Sequence, residues 1–156
     1  MIPFSKQYID KSDLKTVEKV LKSDFLTQGP FPKKFENKLS EFVGAKFVIS
    51  CNNGTSALHL ACMALGIKFK DIVWTVPITF AASANCALNC GASVDFVYID
   101  PKTFNMSVED LEAKLIQAKK QKKLPKVVIP VHLGGLPTEQ KKIWQLSKKY
   151  NFKIIE

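Results

Sequence analysis

Apolar residues first recur at helical spacing between positions 12 and 23. Leu14, Val17, Val20 and Leu21 follow Ser12, which offers an N-cap, and the pattern fades near Ser23. Before it, residues 2–8 read as extended. A second helical pattern runs from Pro32 through Phe35, Leu39 and Phe42, and Gly44 stops it. The stretch between them, residues 24–32, holds Gly29, Pro30 and Pro32, which argues against regular structure. It is a plain linker or a loop that reaches into a ligand site.

Beyond Gly44 the pattern repeats: a helix closes on glycine and a short apolar strand follows. Gly44 precedes a strand at residues 46–50, Gly66 one at 72–76, and Gly91 one at 94–99. A helix then starts near Ser107 and passes Leu111, Leu115 and Ile116. Pro125 separates it from a strand at 127–129. Pro137 opens a last helix with Ile143, Trp144 and Leu146 as core candidates, and Ile154 and Ile155 lie in a final strand. Alternating strands and helices with short connections predict an α/β fold of three layers, a mostly parallel sheet with helices on both faces. The continuous apolar runs at 47–49 and 127–129 suit strands buried on both faces.

Ligands of such sheets bind beyond the carboxyl ends of the strands. Three predicted turns fall there: 51–56, 77–80 and 132–137. The first, Cys51-Asn52-Asn53-Gly54-Thr55-Ser56, leads into an apolar helix. The first N–H groups of a helix lack partners, and its dipole concentrates positive charge at the same place. Gly54 lets an anion approach the backbone, and Thr55 and Ser56 add hydroxyls, so the turn suits a phosphate. The same residue types also suit an ordinary capped turn.

Composition narrows the function classes. The 156 residues fit about one domain, and 46% of them are hydrophobic, enough for a sizeable core. The net charge is +9, but every basic residue is lysine. Arginine's planar fork is the favoured reader of bases and phosphates, so the charge does not argue for nucleic acid. Lys119, Lys120, Lys122 and Lys123 read as a solvated helix end. No run is long enough to span a membrane, and the N-terminus lacks the apolar core of a signal peptide. A cytoplasmic protein is expected. Cys86 and Cys90 have helical i,i+4 spacing, but neither His59 nor His132 is near them in sequence, so no metal site is expected. The four cysteines read as free thiols. The chain stops at Glu156 beside an apolar strand, which reads as a fragment.

Four motifs, in order along the chain, carry a resemblance. Ser23-Asp24-Phe25-Leu26-Thr27-Gln28-Gly29-Pro30, with Phe35-Glu36 after it, is similar to the N-terminal signature of the DegT/DnrJ-type sugar aminotransferases. Asn53-Gly54-Thr55-Ser56-Ala57-Leu58-His59-Leu60 resembles their phosphate-binding turn. Ile78-Thr79-Phe80-Ala81-Ala82-Ser83-Ala84-Asn85 resembles their cofactor-stacking segment. Residues 127–135, from Val127 to Gly135, resemble a later strand and turn.

The resemblance implies the large domain of a fold type I enzyme that uses pyridoxal 5′-phosphate. Residues 1–156 would form the N-terminal part of that domain, with the C-terminal remainder absent. It assigns Gly54 and Thr55 to the phosphate and Phe80 to the pyridine face. Phe4, Asp24, Phe25, Leu26 and Thr27 match positions that contact the sugar nucleotide. His59 matches a packing position, and His132 matches no assigned role.

Within the family, the branch that fits best works in pseudaminic acid biosynthesis. It transfers an amino group from glutamate to C4 of a UDP-linked 4-keto-6-deoxy-N-acetylhexosamine. A homodimer is implied. The Asp that pairs with the pyridinium nitrogen would follow Glu156, and no lysine here matches the Schiff-base position, so no catalytic residue is expected in this chain. At Leu136-Pro137 the branch often has a Gln-containing turn, which sets that loop apart. Another sugar aminotransferase, a dehydratase of the same family, or a non-catalytic binder of phosphate or nucleotide sugar are the alternatives.

Overall fold

The computed structural model describes residues 5–156, which divide after Ser50 into two compact units. Phe4 lies outside the described residues.

The first unit holds α1 (Lys11–Leu21) and α2 (Pro30–Val43). Asp10, not Ser12, caps α1. Its carboxylate accepts from the N–H groups of Ser12 and Asp13, and the Asp13 carboxylate accepts from Asp10 N–H, a reciprocal capping box. An ionised carboxylate is the stronger acceptor, and the Ser12 hydroxyl donates to it as well. The prolines that argued for a loop instead open α2. Pro30 is its first residue, where a missing N–H leaves nothing unsatisfied. The strand expected at 46–50 does not form. Phe47 and Ile49 are 78% and 82% exposed, and Ser50 directs its N–H to Glu36 at 2.9 Å. An apolar run states a preference for extended backbone, but a strand also needs a ladder partner.

The second unit carries α3 (Gly54–Ala64), β1 (Ile72–Thr75), α4 (Ala82–Leu88), β2 (Ser93–Phe96), α5 (Val108–Lys120), β3 (Val127–Val128), a 3-10 turn (Leu133–Gly135), α6 (Gln140–Tyr150) and β4 (Lys153–Ile154). The strands run parallel in the order β2-β1-β3-β4. The register pairs Val73 with Val127 and Trp74 with Val128.

Successive strand residues face opposite layers. Val73, Val127, Ile129 and Ile155 pack with Cys62 of α3 and Cys86 and Ala87 of α4. Trp74, Val76, Val97 and Val128 pack with Leu111, Leu115 and Ala118 of α5 and Ile143, Leu146 and Tyr150 of α6. Both faces are therefore covered, which is why the strands read as unbroken apolar runs. This is the three-layer arrangement expected from the sequence.

Trp144 departs from expectation: it is 56% exposed, with the Lys148 ammonium 5.1 Å from its ring centre. The buried stripe of α6 is Ile143, Leu146, Ser147 and Tyr150, and Trp144 lies one residue, about 100°, off it. Nor does α6 begin at Pro137. It begins at Gln140, because Glu139 before it has a non-helical backbone, φ −72° and ψ 60°; Thr138 N–H donates to the His132 ring.

The free edge of β2 is guarded. Asp95 accepts from Phe96 N–H at 2.8 Å, while Lys114 donates to Phe96 O and pairs with Asp95 at 2.7 Å. Charged side chains thus occupy the backbone groups that another strand would need. Burial raises the Asp95 carboxyl, and Lys114 and Phe96 N–H outweigh it, leaving its pKa below the ordinary value. At the amino edge Lys126 ties Asp71, at 2.8 Å, to the carbonyl of Gly66. This fixes the C-terminal end of α3 beside the starts of β1 and β3. Leu58, Ala61 and Cys62 of α3 and its C-cap Leu65 all pack in the same core, so the helix lies along the sheet. Its 11 residues span about 16 Å, which carries its N-terminus to the carboxyl edge.

Candidate active site

Three segments of the second unit meet the carboxyl edge, as the sequence predicted, although no strand precedes the first. In that segment Asn53 caps α3. Its side-chain oxygen accepts from Ser56 N–H at 2.8 Å, and its carbonyl accepts from Ala57 N–H at 3.1 Å. That leaves the N–H groups of Gly54 and Thr55 and the Thr55 hydroxyl without partners among the described residues. A Cβ added at Gly54 would meet nothing within 4 Å. The protein's own packing therefore does not demand this glycine; it leaves open the space in front of two unpaired donors. Both readings of the turn hold at once: one donor is capped, and two face outward at the positive end of an 11-residue helix. These residues fit a phosphate monoester.

Phe80 follows β1 on the same edge. Its ring is 77% exposed, so it is not a core aromatic. The backbone beneath it is fixed: Ser83 N–H donates to Phe80 O at 3.0 Å, and the Thr79 and Ser83 hydroxyls are 2.9 Å apart. A large apolar face held open on an anchored segment suits stacking against a planar ligand.

The third segment, residues 132–138, contains Gly134 and Gly135 at φ +61° and +84°, conformations that favour glycine. It is pinned from outside by Asn105, which is 4% exposed. Asn105 Nδ2 donates to Leu136 O at 2.9 Å and Pro137 O at 3.3 Å, and its Oδ1 accepts from Leu133 N–H at 3.0 Å. The sequence reading missed Asn105, because its partners lie 28–32 residues away and nothing local announces them. It also missed Thr75, whose buried hydroxyl donates to Ile129 O at 3.0 Å and holds the exits of β1 and β3 together. Thr138 Oγ1 is the only buried side-chain polar atom without a partner among the described residues. Such an atom costs about 1–3 kcal/mol when left unsatisfied.

His59 is half-buried on α3, in keeping with a packing role. Among the described residues no group of three or more His, Cys, Asp or Glu side chains is placed to hold an ion. All four cysteines are free. Burial, with Cys86 and Cys90 close by, pushes the Cys62 thiol up to about 12, so it packs as a neutral group.

Asp24, Phe25, Leu26 and Thr27 belong to the first unit, in the turn between α1 and α2. Phe25 and Leu26 are exposed. The turn doubles back so tightly that a Cβ on Gly29 would stand 2.8 Å from Phe25 Cβ, which explains the glycine. A cleft of about 720 Å³ along β2 and α5, lined by Trp74, Tyr98, Lys114 and Gln117, contains none of these site residues. Among the described residues no helix is long and apolar enough to cross a membrane.

Residues 7–156 match the model of the DegT/DnrJ/EryC1/StrS aminotransferase family. The UDP-4-amino-4,6-dideoxy-N-acetyl-beta-L-altrosamine transaminase of Campylobacter jejuni (strain 81-176) is 44% identical over 156 residues, all of this chain and 40% of that protein. Among solved structures, Helicobacter pylori PseC, an aminotransferase involved in the biosynthesis of pseudoaminic acid, superposes with a TM-score of 0.85 at 30% identity. The match covers 97% of this chain and 40% of that one. NtdA from Bacillus subtilis with bound cofactor PMP gives 0.81 at 30% identity, over 92% and 32%.

Proposed function

On the premise that the chain belongs to the DegT/DnrJ/EryC1/StrS aminotransferase family, we propose that it serves a transamination dependent on pyridoxal phosphate. The acceptor is a UDP-linked 4-keto-6-deoxy-N-acetylhexosamine, glutamate is the amino donor, and the product feeds pseudaminic acid and surface glycan synthesis. The observation that carries this reading is the open cradle at Gly54 and Thr55, on the same edge as the exposed ring of Phe80. The similarity to the altrosamine transaminase supports the choice of sugar. Residues 1–156 are the N-terminal part of the large domain, the enzyme is a cytoplasmic homodimer, and no lysine here is assigned to the Schiff base.

Pyridoxal phosphate supplies the electron sink that lets an amino group pass from an amino acid to a ketone. The chain's residues bind and orient it. The N–H groups of Gly54 and Thr55 and the Thr55 hydroxyl hold the phosphate, helped by the helix dipole. Phe80 covers one face of the ring and keeps water from it. Asp24, Phe25, Leu26 and Thr27, with Phe4, hold the sugar nucleotide.

The test is to supply the full-length protein with the UDP-linked 4-keto sugar and nitrogen-15 glutamate. Mass spectrometry should find the label in a UDP-amino sugar. Labelling of a different keto sugar in preference to this one would refute the substrate assignment. A finer check is Phe80→Leu. It is expected to weaken binding of pyridoxamine phosphate by about 0.5–1.5 kcal/mol, the aromatic share of a stacking contact, without moving the unfolding midpoint.

A further inference from the structure

The function proposed above gives His132 no part, yet the structure fixes this residue closely. Thr138 N–H donates to His132 Nδ1 at 3.1 Å. A backbone N–H can only donate, so Nδ1 carries the lone pair and the proton of the neutral ring sits on Nε2. The flanking backbone is anchored as well. Leu133 N–H donates to Asn105 Oδ1, and Asn105 Nδ2 reaches the carbonyls of Leu136 and Pro137. The ring is held between two fixed neighbours, Leu133 and Thr138.

Two side-chain polar groups of this turn have no partner among the described residues. Nε2 of the half-buried His132 has none among the described residues. Thr138 Oγ1, in a residue that is 93% buried, is the one fully buried side-chain polar atom without a partner among the described residues. Both lie in the loop after β3, and β3 pairs directly with β1, whose own exit leads to Phe80. An unpartnered, half-buried donor such as His132 Nε2, on the same sheet edge as the exposed ring of Phe80, is the kind of group a ligand satisfies.

We infer that His132 is a binding residue of this site, donating Nε2–H to an oxygen of the bound cofactor, and that Asn105 is the positioning residue that holds its turn. The inference rests on the cofactor reading above. It assigns His132 as a hydrogen-bond donor and not as a base, because its lone pair is already taken by Thr138.

Two substitutions separate the halves of the ring. In His132→Asn the short amide can accept from Thr138 at the Nδ1 position but offers nothing at Nε2. In His132→Gln the longer amide reaches the Nε2 position and keeps the donor. The experiment titrates the full-length protein and both variants with pyridoxamine 5′-phosphate by calorimetry. Nitrogen-15 NMR of histidine reports the tautomer before and after binding.

His132 is expected in the Nε2–H form, with its Nε2 resonance shifting on binding. His132→Asn should weaken binding about tenfold, a hydrogen bond's worth, at an unchanged unfolding midpoint. His132→Gln should bind more tightly than His132→Asn. Asn105→Asp, which turns two donors into an acceptor facing two carbonyls, should weaken binding and broaden the His132 resonances. Equal affinity of His132→Asn and the parent would overturn the inference alone, as would an Nδ1–H tautomer, which needs no folded variant to detect. Failure of the parent to bind the cofactor would overturn the functional reading and this inference with it.

Discussion

Trp74→Ala is expected to destabilise the protein by about 3–5 kcal/mol, the usual cost of deleting a large aromatic from a packed core. Trp74 lies on β1, a central strand, and is 2% exposed. Its ring joins the core built by α5 and α6, and the Lys114 ammonium stands 4.9 Å from its centre. The deletion therefore opens a cavity and removes the surface over which Lys114 reaches the guarded edge of β2. Trp144→Ala is the matched control. It deletes the same side chain from the exposed face of α6 and is expected to stay within about 0.5 kcal/mol. Chemical denaturation of the two variants measures the difference directly. Similar losses at both positions would mean that the outer face of α6 carries structural contacts in the intact protein.

What the sequence could announce was set by how local each signal is. The alternation of glycine-closed helices and apolar runs predicted the parallel three-layer unit, because both signals act within a few residues. The runs at 47–49 and 127–129 looked alike, and only the second became a strand. Val127 and Val128 have β1 and β4 as neighbours, whereas residues 46–50 form no ladder, and partner choice is not written into a five-residue window. The helix starts went wrong for a related reason. Ser12 is a good cap by type, but Asp10, two residues earlier, accepts from the N–H groups of Ser12 and Asp13, which starts the helix sooner and leaves Ser12 inside its first turn. Trp144 shows the limit of composition: aromatic character suggested burial, while the helical phase of Ile143, Leu146 and Tyr150 decided against it.

The site divides along the same line. Gly54 and Thr55 stood out as candidates because a helix start is a local feature, whereas Phe80 was singled out only by the resemblance, since a lone Phe reads as core; the structure leaves the donors unpartnered and the ring exposed. Asn105 and Thr75 were not, since each acts through a carbonyl more than 25 residues away. Short, buried polar side chains of this kind shape the edge through backbone groups far away in sequence, and only the folded register reveals them.

The second large effect is expected at Thr55. Thr55→Val keeps the side-chain shape and removes one hydroxyl donor to a charged acceptor, so phosphate-dependent cofactor affinity should fall by about 1.5–3 kcal/mol. The fold should not change, because the hydroxyl has no partner among the described residues. Titration of the full-length protein with pyridoxamine phosphate measures the loss, and unchanged affinity would refute the cradle. Gly54→Ala asks the same question sterically. The new methyl meets no protein atom within 4 Å, so stability should hold while the methyl intrudes on the anion's approach. Asn53→Ala separates capping from binding. It removes the acceptor of Ser56 N–H and should cost about 0.5–2 kcal/mol of stability. It leaves the Gly54 and Thr55 donors in place and frees a third. If capping were the turn's whole purpose, Asn53→Ala would be the damaging change and Thr55→Val would be silent. A phosphate site requires Thr55→Val and Gly54→Ala to lose affinity at constant stability, with Asn53→Ala showing the reverse.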